Sequence, residues 1–190
     1  MNGKEFHRKI WEILEPLDSS NFQVLRAVAA ANNDIEKIEA QTEIKLPDYY
    51  RDFVSSGNCN GLAVCAREEV WPAPKEGDIA PAWTFYRGVT LLGIDAPDLP
   101  EFASIAETHD RLIAKGIENV LPLIKIWGNG SSFYGVNRSG ETVIAEDDEV
   151  TILKGDLTDV YAEMIANLVQ YQKDMEKRLE ASRGLFGKSR

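Results

Sequence analysis

The side chains able to do covalent or metal chemistry are few. Cys59 and Cys65 stand with five residues between them, and His7 and His109 are the two histidines of the chain. A reactive thiol needs a cation, a helix N-terminus or a base to form its thiolate, and a structural zinc site needs Cys and His in close pairs. Neither pattern surrounds these residues in the sequence. A cysteine joined in space by His109 as base stays open as an enzymatic reading. Against it, His109 falls on the apolar stripe of an expected helix, where a neutral, hydrogen-bonded core imidazole is the plainer expectation. No catalytic residue, metal or cofactor is therefore expected.

Two other stretches carry binding chemistry. Glu146, Asp147, Asp148 and Glu149 form the densest acidic run. It lacks the alternating oxygen ligands and central glycine of a calcium loop, so it reads as a solvated hairpin turn or as a contact for a basic partner. Residues 67–87, REEVWPAPKEGDIAPAWTFYR, set Trp71, Trp83, Phe85 and Tyr86 among acids and three prolines. A loop of this length inside a compact domain is usually functional or disordered. Its rings serve either as interface anchors or as a lid folded over the sheet. GNGS at 128–131 lacks the lysine and following helix of a phosphate loop and reads as a turn.

Charge narrows the class of partner. The formal net charge is −10, yet from Lys173 to Arg190 six basic side chains face three acidic ones, so the acidity belongs to the preceding chain. Such a field repels nucleic acid and anionic lipid and speeds encounter with a basic protein. Two cysteines make no disulfide framework. No stretch has the 18 or so apolar residues of a membrane span, and the N-terminus has no unbroken apolar run of a signal peptide. A cytoplasmic protein is the expectation. At 190 residues and 44% hydrophobic content, the chain suits one domain, here 1–181, with 182–190 as a flexible tail.

The elements that must position these residues follow from spacing. Phe6, Ile10, Ile13, Leu14 and Leu17 predict a helix over 4–15 ended by Pro16. Asn33 with Glu36 reads as a capping box for a helix ending near Thr42, and Pro47 opens another at its first helical position, closed by Gly57. Residues 19–33 have no clear pattern. Strands are expected at 61–66, 88–94, 120–127, 132–137, 142–145 and 150–153, the last four as an antiparallel meander. Phe102, Ile105, His109, Leu112 and Ile113 predict a helix between Pro100 and Gly116. A long final helix starts after an Asp156 cap and carries Leu157, Tyr161, Met164, Leu168, Tyr171, Met175 and Leu179 on one stripe. The fold class is α+β: an antiparallel sheet of five to six strands with packed helices.

This order resembles the SUKH superfamily, which groups a fungal glucan-synthesis regulator with Syd and bacterial immunity proteins. The resemblance rests on Ile35, Ile38 and Glu39 in one helix, Leu46, Pro47, Tyr50 and Phe53 leading into the next, and the Asn60–Gly61 turn. VLPLIKIWGNGSSFYGVNRSGETVIAED is similar to the family's second half, and agreement covers about 21–170. Residues 1–20 and 67–87 look like additions, and Val160–Tyr161 opens the last helix where a Phe is common. The resemblance implies protein binding without shared catalytic residues. An immunity protein neutralising a cognate toxin, such as a nuclease, is the leading expectation. The alternatives are a regulator or scaffold in cell-envelope or glucan synthesis, and an enzyme or small-ligand protein. Physically, the family residues read as architecture.

Overall fold

The computed structural model describes residues 1–56, 59–74 and 79–186. Its centre is a seven-stranded open sheet in which each strand pairs with its sequence neighbour, all antiparallel. The strands are β1 (Phe22–Ala27), β2 (Asn60–Ala66), β3 (Gly88–Leu91), β4 (Val120–Ile126), β5 (Ser132–Asn137), β6 (Thr142–Glu146) and β7 (Glu149–Ile152). The helices are α1 (Gly3–Leu14), α2 (Asn32–Thr42), α3 (Asp48–Ser55), α4 (Ile105–Ala114) and α5 (Leu157–Phe186).

Seven strands replace the five to six expected, because β1 lies in the stretch without a clear pattern. No core covers the middle of β1, so its residues there need no apolar alternation. Only its two ends, Phe22 and Ala27, are buried, and Leu25 and Ala27 flank a bulge in its pairing to β2.

The two sheet faces carry different cores. Side chains from α1, α2, α3 and α5 join Val64, Leu91, Leu121, Leu123 and Val136 in the main core. On the other face Leu112 of α4 and Ile117 cover Val120, Phe133, Val143 and Ala145. Neighbours in one strand point to opposite faces, which is why Val120 and Leu121 belong to different cores. Burial of Phe6, Tyr50, Phe53, Trp71 and Tyr161 accounts for much of the main core, at roughly 1.5–3 kcal/mol per large side chain.

Capping explains where the helices begin. Asn2 accepts from the Glu5 N–H at 2.9 Å to start α1. Asp156 accepts from the N–H groups of Thr158 (2.8 Å) and Asp159 (3.2 Å) while its own N–H donates to Asp159 (2.9 Å), the expected cap of α5 in reciprocal form. Lys9 reaches Asp156 at 3.3 Å and ties α1 to that cap. The box expected at Asn33 does not form. The helix starts two residues earlier, with Ala31 as cap and no side-chain bond. Pro47 sits at the cap of α3 instead of inside it, its carbonyl accepting from Tyr50 and Arg51 N–H. Gly57, expected to close α3, lies outside the described residues.

Phe102 was expected on the inner stripe of α4. Pro100 instead opens a short 3₁₀ turn over Glu101–Ala103, and Ser104 caps the α-helix. Phe102 and Ile113 are both 41% exposed as a result. At the C-terminus the tail expected from residue 182 is still helical to Phe186, and 187–190 lie outside the described residues.

The family-like residues are structural in this fold. Glu39 is buried, and its carboxylate takes Arg51 at 2.7 Å, Lys45 at 2.8 Å and the Leu46 N–H at 3.0 Å. Burial alone pushes this carboxyl up. The bonds to Lys45, Arg51 and the Leu46 N–H outweigh it and hold the group below the usual glutamate range. One side chain thus locks α2 to the entry of α3. Ile35, Ile38, Leu46 and Phe53 are core, and the buried Tyr50 hydroxyl reaches the Leu92 and Leu123 carbonyls at 2.7 and 3.1 Å. Asn60 exchanges two bonds with the backbone of Ile94, 2.7 and 2.8 Å, acting as an extra rung of sheet. Gly61 follows at φ +59°, where a Cβ would collide with Leu99.

Candidate partner-binding cleft

The segment 67–87 splits into an inner and an outer half. Glu68 gathers its two ends, accepting from the Ala73 N–H at 2.7 Å and pairing with Arg87 at 2.5 Å. Trp71 is fully buried in the main core, its indole N–H donating to the Thr84 carbonyl at 3.0 Å. It therefore makes none of the surface contact expected of it; the lid reading describes this ring. Residues 75–78 lie outside the described residues. Beyond them a 3₁₀ turn, Ala82–Phe85, brings Trp83 half-buried onto Tyr171 of α5, with centroids 5.8 Å apart and planes at 20°. Phe85 is exposed at 37%, and Tyr86 meets Tyr171 edge-on at 6.3 Å.

Tyr86 opens a cleft of about 220 Å³ between α5 and the main-core face of the sheet. Its floor is apolar, built from Val89, Ile126, Met164 and Leu168. Three phenol rings, Tyr86, Tyr134 and Tyr171, line its sides. Two carboxylates complete it, Glu146 from the acidic hairpin and Glu163 from α5, together with the amides of Asn129 and Asn167. Glu146 and Ser132 are cross-strand partners, and the Ser132 hydroxyl donates to the carboxylate at 2.6 Å. Among the described residues neither Glu146 nor Glu163 has a basic partner within 4.0 Å. Burial, then the charges of Glu146 and Glu163, push the Tyr134 phenol above its ordinary range. The cleft is thus negative, aromatic and part-desolvated. Such a surface favours a cation with a flat or aliphatic stem, held by carboxylates and ring faces together.

The two stretches singled out in the sequence meet at this cleft through Tyr86 and Glu146. The rest of the acidic run does not line it. Asp147 and Asp148 form the exposed β6–β7 turn, with Asp147 at φ +55°, and Glu149 pairs across to Glu146. Tyr134, Glu163, Asn167 and Tyr171 were missed as contact residues. Tyr171 was legible only as one step of an apolar helical stripe, and Glu163 only as a solvated helical acid.

The nucleophile candidates lie elsewhere. Cys59 and Cys65 are buried, and burial pushes both thiols up, the reverse of activation. His109 is buried on α4 as expected. The hydrogen bond expected with it is missing: neither ring nitrogen has a partner among the described residues. Burial holds its pKa below the ordinary range, the neighbouring Asp110 opposing. Among the described residues no group of three or more His, Cys, Asp and Glu side chains is placed to hold a metal, and no helix is long and apolar enough to cross a membrane. In comparison with known proteins, no family model and no curated sequence matches the chain.

Proposed function

We propose that this chain is a non-catalytic protein-binding module of the SUKH type, an immunity protein that neutralises a basic cognate toxin through the α5 cleft. The observation that carries the binding reading is the meeting of Tyr86 and Glu146, from two separate segments, in one cleft whose two carboxylates have no cationic partner among the described residues. Carboxylates beside aromatic ring faces are a good arrangement for capturing an arginine or lysine side chain. The exposed Phe85 and the acidic turn at Asp147 and Asp148 extend the surface beyond the cleft. The immunity role draws on the resemblance carried by Glu39, Pro47, Tyr50, Asn60 and Gly61.

The test is co-expression with the product of the neighbouring gene. A stable complex, loss of that product's toxicity, and loss of both on Glu163→Lys with Glu146→Lys are the expected results. A neighbour that neither binds nor becomes harmless in its presence removes the reading. Association should also slow steeply as salt rises, since the encounter is steered by charge.

A further inference from the structure

The opposite sheet face holds a cavity of the other sign. It has a volume of about 520 Å³ and is lined by Arg111 of α4, Lys115 at the cap that ends it, Lys125 of β4, Phe133 of β5 and the turn at Gly128–Gly130. Three cations share it in a chain whose formal net charge is −10. Lys125 is the unusual one. It pairs across the sheet with Thr90 and Phe133, so it projects on the α4 face, and it is only 9% exposed. The one bond recorded for its ammonium is to the Phe102 carbonyl at 3.3 Å, and among the described residues no carboxylate lies within 4.0 Å of it. A lysine so little exposed, whose ammonium has one long bond to a neutral oxygen, is poorly compensated.

Its neighbours add to the imbalance. Arg111 shares the nearest acid, Glu107, at 3.0 Å. Lys115 donates to the Gly130 carbonyl at 3.0 Å and lies 5.5 Å from the Phe133 ring centroid. Burial first, then Arg111, depress the Lys125 pKa, with Glu107 opposing. Asn129 turns its side-chain oxygen to the N–H groups of Ser131 and Ser132, at 3.0 and 3.1 Å, which leaves its amide nitrogen as a donor beside the cavity. Gly128, at φ +76°, packs so tightly on the Phe85 carbonyl that a Cβ would collide with it, which fixes the turn at the mouth.

We infer that this cavity is an oxyanion site, in which Lys125, Arg111 and Lys115 together take one phosphate or carboxylate group. Lys125 supplies the most buried charge, and Arg111, whose Nε and Nη2 bond Glu107 at 3.2 and 3.0 Å, its remaining guanidinium donors nearer the surface. The site lies on the other sheet face from the acidic cleft, shares only Asn129 with it, and does not depend on the proposed partner.

The test is thermal unfolding of the whole chain in inorganic phosphate, in acetate, and in chloride at matched ionic strength, with amide NMR to locate the response. Phosphate or acetate should raise Tm saturably, by roughly 5–10 °C at a hundredfold excess over Kd, and chloride should not. The amide shifts should centre on residues 128–133 and the last turn of α4. Lys125→Met should abolish the response, and Arg111→Gln should weaken it. Both replacements retain the aliphatic stem, and the melt itself reports whether each variant folds. A response to phosphate alone assigns a phosphoryl ligand, and one to acetate as well assigns carboxylates. No difference from chloride, a response that survives in Lys125→Met, or shifts elsewhere would overturn the site.

Discussion

Two cavities flank the Gly128–Ser131 turn, and Asn129 lines both. The α5 cleft is walled by tyrosines and two carboxylates without counter-ions among the described residues; the α4 pocket is walled by three cations, one of them buried. The acidic cleft follows the sign of the whole chain, and its charges sit near solvent, where a carboxylate costs little. The basic pocket opposes that sign and buries its central charge, which is costly without a counter-ion. Net charge therefore informs the first site and hides the second.

The largest effect expected concerns the foundation of the acidic cleft. Trp71→Ala should cost about 3–5 kcal/mol in urea unfolding, because the ring fills the core beneath the Trp83–Tyr171 stack. A cost under 1 kcal/mol would mean the segment rests on the surface and the cleft has no firm wall.

On the other side, Lys125→Met should leave stability in chloride unchanged or raise it by about 1 kcal/mol, since an apolar side chain replaces a poorly compensated buried charge. A marked loss of stability would show that the ammonium has a partner of its own.

His109 separates the faces by pH. Its folded pKa lies below the ordinary 6.5, so the unfolded chain takes up the proton first. Stability should fall as pH drops below about 6.5, by at most about 1.4 kcal/mol per unit, and level off once the folded histidine is also charged. His109→Gln should flatten that slope in chemical unfolding at pH 5 to 7. Glu39 acts in a lower window: its depressed carboxyl contributes stability that is lost as pH falls below the usual value of about 4.5.

The smallest effect tests whether the cleft is electrically distinct. Glu163→Gln should let the Tyr134 phenol ionise at lower pH in an ultraviolet titration, while Lys125→Met leaves that titration in place. Equal response to both variants would mean the two fields are not separated by the sheet.

The antiparallel meander, the long last helix and its Asp156 cap were legible in the sequence, because alternation, turn residues and capping act within a few positions. Glu39, Tyr50, Asn60 and Gly61 were singled out by the family resemblance and read as architecture; the bonds of Tyr50 to Leu92 and Leu123 and of Asn60 to Ile94 come from packing. β1 was not, since its middle is covered by no core and no tight turn joins it to β2, whereas β7, the other edge, follows β6 through the Asp147–Asp148 turn. Trp71 and Tyr86, fifteen positions apart in one aromatic segment, were alike in the sequence, and the fold buries one and lines a cleft with the other. Glu146 was readable as an acid in a turn, but its neighbours Tyr134, Glu163 and Tyr171 come from strands and a helix that only packing brings together. Lys125 carried least signal of all, one cation in an apolar strand. Whether such a charge meets an acid, water or two more cations depends on what crosses the sheet above it, and that is decided by tertiary structure alone.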